Sequence, residues 1–338
     1  MKILQPNFSH IYLEKDAKSY ALTDLAISQF PKAKIIEIEH YKDVFNRPRQ
    51  DFQFQKQSMK MILAKKRPPF LYPASDIIQD YGTPNVYYNT PILNCIYNCD
   101  YCFLQGMYPS GNLVVFVNEN DFHQSIINQQ KNLPAPNDPM IISISYNTDI
   151  LAMENLFPMA SLWIDFVKKH ENVKIEIRTK SALFTSLKHQ KPSNQVILSW
   201  SISPEEVCQK YETTAAPLSA RLRAIQKAIS AGWKVRLCLD PILLGPHWET
   251  QYSNLIQQLF STVDTQGILD ITLGVFRMSK DYFNLIRKRE PKSDLYYQNY
   301  VIEDNIITIP ESQRKEAIQS IRSSLLKFVK DDQILVWG

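Results

Sequence analysis

Hydrophobic positions along this chain follow two alternating patterns from about residue 85 onward. Apolar runs typical of β-strands occur at 85–93, 139–146, 173–179, 195–202, 234–242 and 268–276. Helical patterns separate these runs, as at 217–231, where Leu218, Leu222, Ile225 and Ile229 recur at helix spacing. Six strands that alternate with helices predict a parallel sheet with right-handed crossovers. The pattern therefore predicts an α/β fold.

Both ends of the chain carry other patterns. Residues 1–82 predict a small α/β extension, with strands at 11–13 and 34–38, a helix near 17–29, and a basic helix at 49–66. Residues 281–338 predict a C-terminal extension with an amphipathic helix at 311–329 and a last strand at 334–337. We therefore expect three parts, with boundaries at 1–82, 83–280 and 281–338.

Polar residues alternate with apolar ones on three consecutive predicted strands of the central part. The polar positions are Lys174, Glu176, Arg178 and Lys180, then Ser199, Ser201 and Ser203, then Arg236, Cys238 and Asp240. A strand covered by helices on both faces is nearly all apolar, so these rows indicate a curved sheet around a wet cavity. A solvent-exposed face is the alternative. In β/α barrels the carboxyl ends of the strands carry the chemistry, and Lys180, Ser201 and Asp240 fall there.

Composition narrows the class of protein. The 338 residues include 38 Lys and Arg against 34 Asp and Glu, a net charge of +4 that permits a phosphate-bearing partner without requiring one. The eight glycines form neither a GxGxxG fingerprint nor a P-loop. Five cysteines, an odd number, argue against a disulfide scaffold. The first residues resemble no signal peptide and no apolar run approaches a membrane span, so we expect a cytoplasmic protein without a membrane partner.

The most specific feature is a CxxxCxxC motif, formed by Cys95, Cys99 and Cys102 directly after the first strand of the array. Thiolates are ligands for iron–sulfur clusters, zinc or copper(I). Structural zinc uses four ligands, and the nearest downstream histidine, His123, is remote in sequence. Three ligands leave one iron of a cubane cluster open, which is the reading we favour. An incomplete zinc site and chance proximity are the alternatives.

A family resemblance extends this motif. CxxxCxxC with Tyr101 before its last cysteine resembles the radical S-adenosylmethionine (SAM) superfamily. The stretch 95–118, CIYNCDYCFLQGMYPSGNLVVFVN, resembles the spore photoproduct lyase family, and 145–150, 178–181, 198–206 and 231–242 are also similar. The resemblance implies a partial (β/α)6 TIM-like barrel of the radical SAM type over 83–280. It also implies a [4Fe–4S] cluster on the three cysteines, with SAM bound at the open iron.

The resemblance further implies a DNA repair lyase. Such an enzyme splits a methylene-bridged thymine dimer, the spore photoproduct, into two thymines after a 5′-deoxyadenosyl radical abstracts a hydrogen atom. The implied partners are DNA with a thymine photodimer and an electron donor such as flavodoxin or ferredoxin. The implied contacts are Tyr101, Thr148, Lys180 and Ser201 for SAM, and Phe103, Asp240 and Arg277 for the substrate. The alternatives are a radical SAM enzyme with a different lesion or other substrate, and a non-catalytic iron–sulfur protein that binds nucleic acid.

The chain departs from the family pattern at two places. It has Tyr146 where the resemblance implies a hydrogen-returning cysteine, and Phe103 where a tyrosine follows the last cluster cysteine. We therefore predict that Tyr146 or Cys238 returns the hydrogen, although Cys238 also fits a small buried hydrophobe. In the tail, no glycine-rich basic hairpin is visible. The segment 294–300, DLYYQNY, stands there, and its tyrosines fit either base stacking or a strand.

Overall fold

The computed structural model describes residues 7–74 and 81–337. Residues 1–6, on which the expected absence of a signal peptide rests, lie outside the described residues. The chain divides into two compact units: Met1–Ile96 with Met107–Ile177, and Tyr97–Gly106 with Arg178–Gly338. The cysteine motif therefore contributes Cys95 to the first unit and its other two cysteines to the second.

The strands of the described residues are short, as expected for an α/β protein. They are β1 (His10–Glu14), β2 (Lys34–Ile38), β3 (Met61–Ala64), β4 (Leu71–Pro73), β5 (Val86–Asn89), β6 (Ile92–Leu93), β7 (Leu113–Phe116), β8 (Met140–Ser143), β9 (Val173–Thr179), β10 (Val196–Ser201), β11 (Val235–Ile242), β12 (Ile268–Val275), β13 (Arg277–Ser279), β14 (Val301–Glu303), β15 (Ile306–Thr308) and β16 (Ile334–Trp337).

The α-helices of the described residues mostly fall between these strands. They are α1 (Ala21–Gln29), α2 (Lys42–Phe45), α3 (Phe52–Gln57), α4 (Leu104–Met107), α5 (Glu119–Gln129), α6 (Met159–Val167), α7 (Glu205–Tyr211), α8 (Leu218–Ser230), α9 (Trp248–Thr262), α10 (Lys280–Arg289) and α11 (Glu311–Leu325). Within residues 7–74 and 81–337, none of them is both long and apolar enough to cross a membrane.

The first unit contains two groups of paired strands. One has the order β2-β1-β3-β7-β6, parallel except for β6, which runs antiparallel to β7. The other has the order β4-β5-β8-β9, in which β4 is antiparallel to β5 and the remaining strands are parallel. Tyr88 pairs with Ser143, and Ser143 with Glu176, so the carboxyl ends of β5, β8 and β9 lie along one edge.

The second unit repeats the parallel arrangement. Its strands β10, β11, β12 and β16 pair in that order and are all parallel. Ser201 pairs with Cys238, and Cys238 with Thr272, which sets polar side chains of three strands side by side. A small antiparallel sheet of order β13-β15-β14 follows in the tail.

Most predicted elements of the strand and helix array are present, and two predictions need correction. The apolar run 85–93 forms two strands in different sheets, β5 and β6, because Pro91 between them has no amide proton for a ladder. The predicted basic helix at 49–66 is wrong: only α3 is helical there, and Met61–Ala64 is the central strand β3. Its four residues are all buried, a pattern that a buried strand shares with a helix segment.

Most residues of the polar rows on the predicted strands are buried, and the others are half-buried. Ser199, Ser201 and Arg236 are 0%, 3% and 4% exposed, and Glu176 is 2% exposed. An exposed polar face is therefore wrong for these positions. Buried polar groups need partners, so each row indicates built polar contacts inside its unit.

Candidate functional site

Cys95, the first cysteine of the motif, is held by its main chain within the first unit. The residue before it, Asn94, has a φ of 72°, in the left-handed region that asparagine tolerates better than most residues. The Asn94 Nδ2 donates to the carbonyls of Ser110 and Asn112 at 2.8 and 3.1 Å, and its Oδ1 accepts from the Cys95 amide at 3.0 Å. Lys56 donates its ammonium to the Cys95 carbonyl. The backbone of Cys95 is thus fixed on both sides.

The other two cysteines lie in a tight turn of the second unit. The Cys102 amide donates to the Cys99 carbonyl at 3.0 Å, and the side-chain amide of Gln105 donates to the same carbonyl at 2.8 Å. Tyr296 donates its hydroxyl to the Asp100 carbonyl at 2.5 Å. Burial raises the pKa of the Asp100 carboxyl. The turn is therefore closed by its own bonds and tied to the C-terminal tail.

A buried ion pair is hydrogen-bonded to a side chain of this turn. The Tyr101 hydroxyl donates to the Glu212 carboxylate, which pairs with the Arg221 guanidinium. The Ser203 hydroxyl donates to the same carboxylate at 3.2 Å, and Arg221 donates to the Ser201 carbonyl at 3.1 Å. Burial raises the pKa of Glu212, and the neighbouring Arg221 opposes that shift. The motif and the end of β10 thus share one polar network.

The residues predicted to contact SAM divide between the two units. In the second unit, the Lys180 ammonium lies 5.4 Å from the centre of the Tyr101 ring, so these two predicted residues come together. Ser201 lies at the carboxyl end of β10 and is buried. In the first unit, Thr148 is 6% exposed, and its Oγ1 has no hydrogen-bond partner within the described part of the chain. The buried Asn147 Oδ1 likewise has no hydrogen-bond partner within the described part of the chain.

Two of the residues predicted to contact substrate form one charged cluster in the second unit. Asp240 accepts from Arg277 at 3.1 Å and lies 3.6 Å from the Arg178 guanidinium. One carboxylate between two guanidiniums leaves a net positive charge, which suits a phosphate or a polar carbonyl. Phe103, the third predicted residue, is half-buried in the cysteine turn.

The two candidate hydrogen donors differ in access. Tyr146 is half-buried, and its ring centre lies 4.5 Å from that of Tyr88, which stacks in turn on Tyr72 at 5.1 Å. Cys238 is fully buried in the middle of β11, as the reading of a small buried hydrophobe predicts. Exposure thus favours Tyr146.

The tail segment, residues 294–300, neither forms a strand nor exposes all its tyrosines for base stacking. Residues 294–297 form a 3₁₀ turn, so a strand is wrong there. Tyr296 is buried, and Tyr300 donates to the Leu295 carbonyl, whereas Tyr297 is 62% exposed. A hairpin does follow, formed by β14 and β15, and its turn is Asp304-Asn305 with positive φ at both residues, as a two-residue hairpin turn requires. This hairpin lacks the glycines and basic residues that the family resemblance implies.

Four residues of this arrangement were absent from the predicted site: Asn94, Arg178, Glu212 and Arg221. Arg178 was visible as a member of a polar row. Tyr101 and Glu212 are 111 residues apart, so no local spacing could join them. A polar residue before Cys95 was the one available signal for Asn94.

The cysteine motif offers the ligand type of an iron–sulfur cluster. Across residues 7–74 and 81–337, no three His, Cys, Asp or Glu side chains form a group that could hold one metal ion. A structural zinc site needs four ligands on a single ion. Cysteine thiolates are the ligands of iron–sulfur clusters, in which they are spread over several irons. The three thiolates supply that ligand type, and the buried Thr148 hydroxyl, which has no hydrogen-bond partner in the described part of the chain, is available to a polar ligand.

Parallel strands, intervening helices and a CxxxCxxC motif after a strand define an α/β protein with a cysteine motif of the metal-binding type. The model of the spore photoproduct lyase family matches residues 5–303. The chain belongs to that family.

Two relatives of this chain are spore photoproduct lyases. A spore photoproduct lyase from a Geobacillus species is 25% identical over 222 residues, and that of Bacillus subtilis is 24% identical over 222 residues. In both comparisons the match spans 64% of this chain and 64% of the relative's length.

Solved structures show the fold. A spore photoproduct lyase variant with a cysteine replaced by alanine superposes with a TM-score of 0.83 at 19% identity, over 98% of this chain and 99% of that one. A double variant with bound AdoMet and dinucleoside spore photoproduct has a TM-score of 0.81 at 20% identity, again over 98% and 99%. The predicted fold class, the partial barrel with its extensions, is thereby confirmed.

Proposed function

We propose that this protein is a radical SAM carbon–carbon lyase that splits a methylene-bridged thymine dimer into two thymines. The observation that carries the proposal is the three-cysteine turn after a strand, in a chain of the spore photoproduct lyase family. The solved relative with bound AdoMet and dinucleoside spore photoproduct supports both the cofactor and the substrate class. A cytoplasmic setting stays a prediction from the odd number of cysteines.

Cys95, Cys99 and Cys102 would hold the cluster by their thiolates. Once bound, the [4Fe–4S] cluster and SAM supply a 5′-deoxyadenosyl radical that abstracts a hydrogen atom from the bridged dimer. The protein's own task is to orient the reactants and to exclude water. Thr148 offers a buried hydroxyl with no other partner in the described chain, and Lys180 offers a cation above the Tyr101 ring. With Ser201 these residues would bind and orient SAM.

Asp240 and Arg277 would bind the substrate, together with Arg178 on the other side of the carboxylate. Their net positive charge suits the phosphate that joins two nucleosides. Phe103 would supply an apolar wall against a thymine ring. An electron donor such as flavodoxin or ferredoxin completes the partners that we propose.

We assign the hydrogen return to Tyr146 rather than to Cys238, because a phenol has a transferable hydrogen and Tyr146 is the more accessible of the two. Tyr146→Phe removes the hydroxyl and keeps the ring that packs on Tyr88. We expect fewer repaired thymines and more by-products from Tyr146→Phe, and an unchanged ratio from Cys238→Ala. The same ratio in both variants and the wild type would refute the assignment.

The test of the main proposal is anaerobic reconstitution followed by reaction with dinucleoside spore photoproduct. The expected result is about four irons per chain, reductant-dependent 5′-deoxyadenosine, two thymidines, and deuterium transfer from a labelled dimer into 5′-deoxyadenosine. Cys102→Ala should lose the iron, and Cys238→Ala, which removes a buried thiol of β11 outside the motif, is the matched control. Iron-loaded protein that never forms 5′-deoxyadenosine would leave only the non-catalytic binding protein.

The acidic hairpin favours a second candidate, a radical SAM enzyme with a different nucleic-acid lesion or another substrate. Asp304 is exposed at its tip, where its negative charge repels phosphates, and Glu303 beside it pairs with Arg314 at 2.9 Å. Formation of 5′-deoxyadenosine without any thymidine from the dimer would support this candidate over the first.

A further inference from the structure

We infer that Glu212 and Arg221 are positioning residues that fix the cysteine turn, residues 97–106, to the carboxyl end of β10. We call these two residues the anchor pair. The inference deepens the proposed function, since Tyr101 and Ser201, which the pair holds, are two of the proposed SAM contacts.

The Glu212 end of the pair reaches the turn directly. Its carboxylate accepts the Tyr101 hydroxyl and the Ser203 hydroxyl, the latter at 3.2 Å. Both side chains of the anchor pair are 0% exposed, so water cannot take over these bonds in the folded protein. A charge-assisted bond in such a place is stronger than a neutral one, and its loss leaves a buried group unsatisfied.

The Arg221 end of the pair reaches β10. Its Nη1 donates to the Ser201 carbonyl at 3.1 Å, and its Nε donates to the Ala216 carbonyl at 2.7 Å. The planar guanidinium thus bonds to Glu212, to the strand end and to the chain before α8 at once. Any shift of Tyr101 relative to Ser201 must break one of these bonds.

The chain next to Glu212 adds two main-chain ties to the same turn. The Asn98 amide donates to the Thr214 hydroxyl at 2.6 Å, and the Asp100 amide donates to the Tyr211 carbonyl at 2.9 Å. Residues 211–214 therefore dock along the turn. The anchor pair, by contrast, bonds directly to the end of β10, at the Ser201 carbonyl.

A second buried ion pair in the same unit shows what a purely structural pair looks like. Arg236 and Asp270 bond at 2.5 and 2.7 Å between β11 and β12, which already share a ladder. The anchor pair instead joins a turn to a strand with which it shares no ladder within the described chain. Replacement of a buried ion pair by apolar residues is often tolerated, so positional specificity is the better reason for a pair at that place.

The test uses three variants of the full chain. Tyr101→Phe removes only the hydroxyl that links the turn to Glu212. The double variant Glu212→Leu with Arg221→Met replaces the anchor pair by apolar side chains of similar size. The matched control is Asp270→Leu with Arg236→Met, which treats the structural pair in the same way.

The first measurement is hydrogen exchange of the metal-free protein, read for 97–106 against β3, which none of the variants alters. We expect exchange in 97–106 to be at least about tenfold faster in Tyr101→Phe and in the anchor-pair variant. The control should leave the ratio of the two regions unchanged. Equal ratios in wild type, Tyr101→Phe and the anchor-pair variant would overturn the inference.

The second measurement is the electron paramagnetic resonance spectrum of the reduced, reconstituted protein before and after addition of SAM. We expect the SAM-dependent change of the spectrum to be lost or altered in Tyr101→Phe and in the anchor-pair variant, and kept in the control. An unaltered change in both variants would overturn the positioning role. If both variants exchange faster in 97–106 but the wild-type protein forms no 5′-deoxyadenosine, the proposed function is refuted and the positional role of the anchor pair stands.

Discussion

Asn94 offers a quantitative test of how Cys95 is held. Its side chain makes three bonds, to the carbonyls of Ser110 and Asn112 and to the Cys95 amide, and it is 1% exposed. At about 1 kcal/mol for each bond, its removal should destabilise this part of the chain by about 3 kcal/mol. Asn94→Gly loses these bonds without adding backbone strain, since glycine readily adopts the φ of 72°.

Asn94→Ala adds a second cost. A left-handed conformation costs an L-residue about 1–2 kcal/mol, and glycine loses about 0.5–1 kcal/mol more backbone entropy on folding. The alanine variant should therefore lie roughly 0.5–1 kcal/mol below the glycine variant. The expected stability order is wild type, then glycine, then alanine.

The assay is hydrogen exchange of the peptide that covers 91–97 in the metal-free protein. A difference of about 3 kcal/mol corresponds to exchange that is on the order of 100-fold faster than in the wild type. The alanine variant should exchange about two to five times faster than the glycine variant. An alanine variant as protected as the glycine variant would refute the strain argument. Wild-type protection in both would refute the role of the three bonds.

Two further predictions concern protonation and packing. Burial lowers the pKa of His123, whose ring stacks on Phe166, to about 4 from its ordinary 6.5, so the unfolded chain takes up a proton first as the pH falls. Stability should therefore decrease between about pH 6.5 and pH 4, and urea titrations should show a weaker decrease for His123→Phe. In Gly274→Ala, the new Cβ would lie 2.9 Å from both the Asp240 carboxylate and the Arg277 guanidinium. We expect the new methyl group to displace that pair and thereby to raise the Michaelis constant for the dimer, while the iron content stays unchanged. An unchanged Michaelis constant would mean that the pair is not part of the substrate site.

The strands of the central array were predictable because their information is local. Apolar runs of four to eight residues between helical patterns mark buried parallel strands. The run 85–93 and the predicted helix 49–66 failed because pairing partners decided the outcome. Met61–Ala64 becomes a strand because it pairs with β1 on one side and β7 on the other. A four-residue apolar run does not itself distinguish a strand from a turn of buried helix.

The metal ligands were predictable from spacing, since Cys95, Cys99 and Cys102 lie within eight residues. The residues that support these ligands were not predictable in this way. Glu212 is an ordinary acidic residue after a short helix until the fold places its carboxylate against Tyr101. The charged substrate cluster was partly predictable, because Asp240 lies near the end of β11 and Arg277 follows the neighbouring strand β12.

Long separations in sequence also govern how the cysteine turn forms. The Asp100 carbonyl accepts a hydrogen bond from the Tyr296 hydroxyl, 196 residues away, and the Gln105 carbonyl accepts one from the Arg289 guanidinium, 184 residues away. Bonds of this kind form only after the intervening chain has folded. The turn should therefore be the last part of the motif to become ordered, and the first to open when these bonds are weakened.

Tyr296→Phe tests this dependence, with Tyr297→Phe as the matched control. Tyr296 is buried and donates to the Asp100 carbonyl, whereas the neighbouring Tyr297 is 62% exposed. The loss of one buried hydrogen bond, about 1 kcal/mol, should raise the open fraction of the turn about fivefold. Iron release to a chelator under anaerobic conditions should accelerate by a similar factor in Tyr296→Phe and stay at the wild-type rate in Tyr297→Phe. Equal rates in the two variants would mean that the tail does not hold the turn closed, because only the bond to Asp100 distinguishes them at the motif.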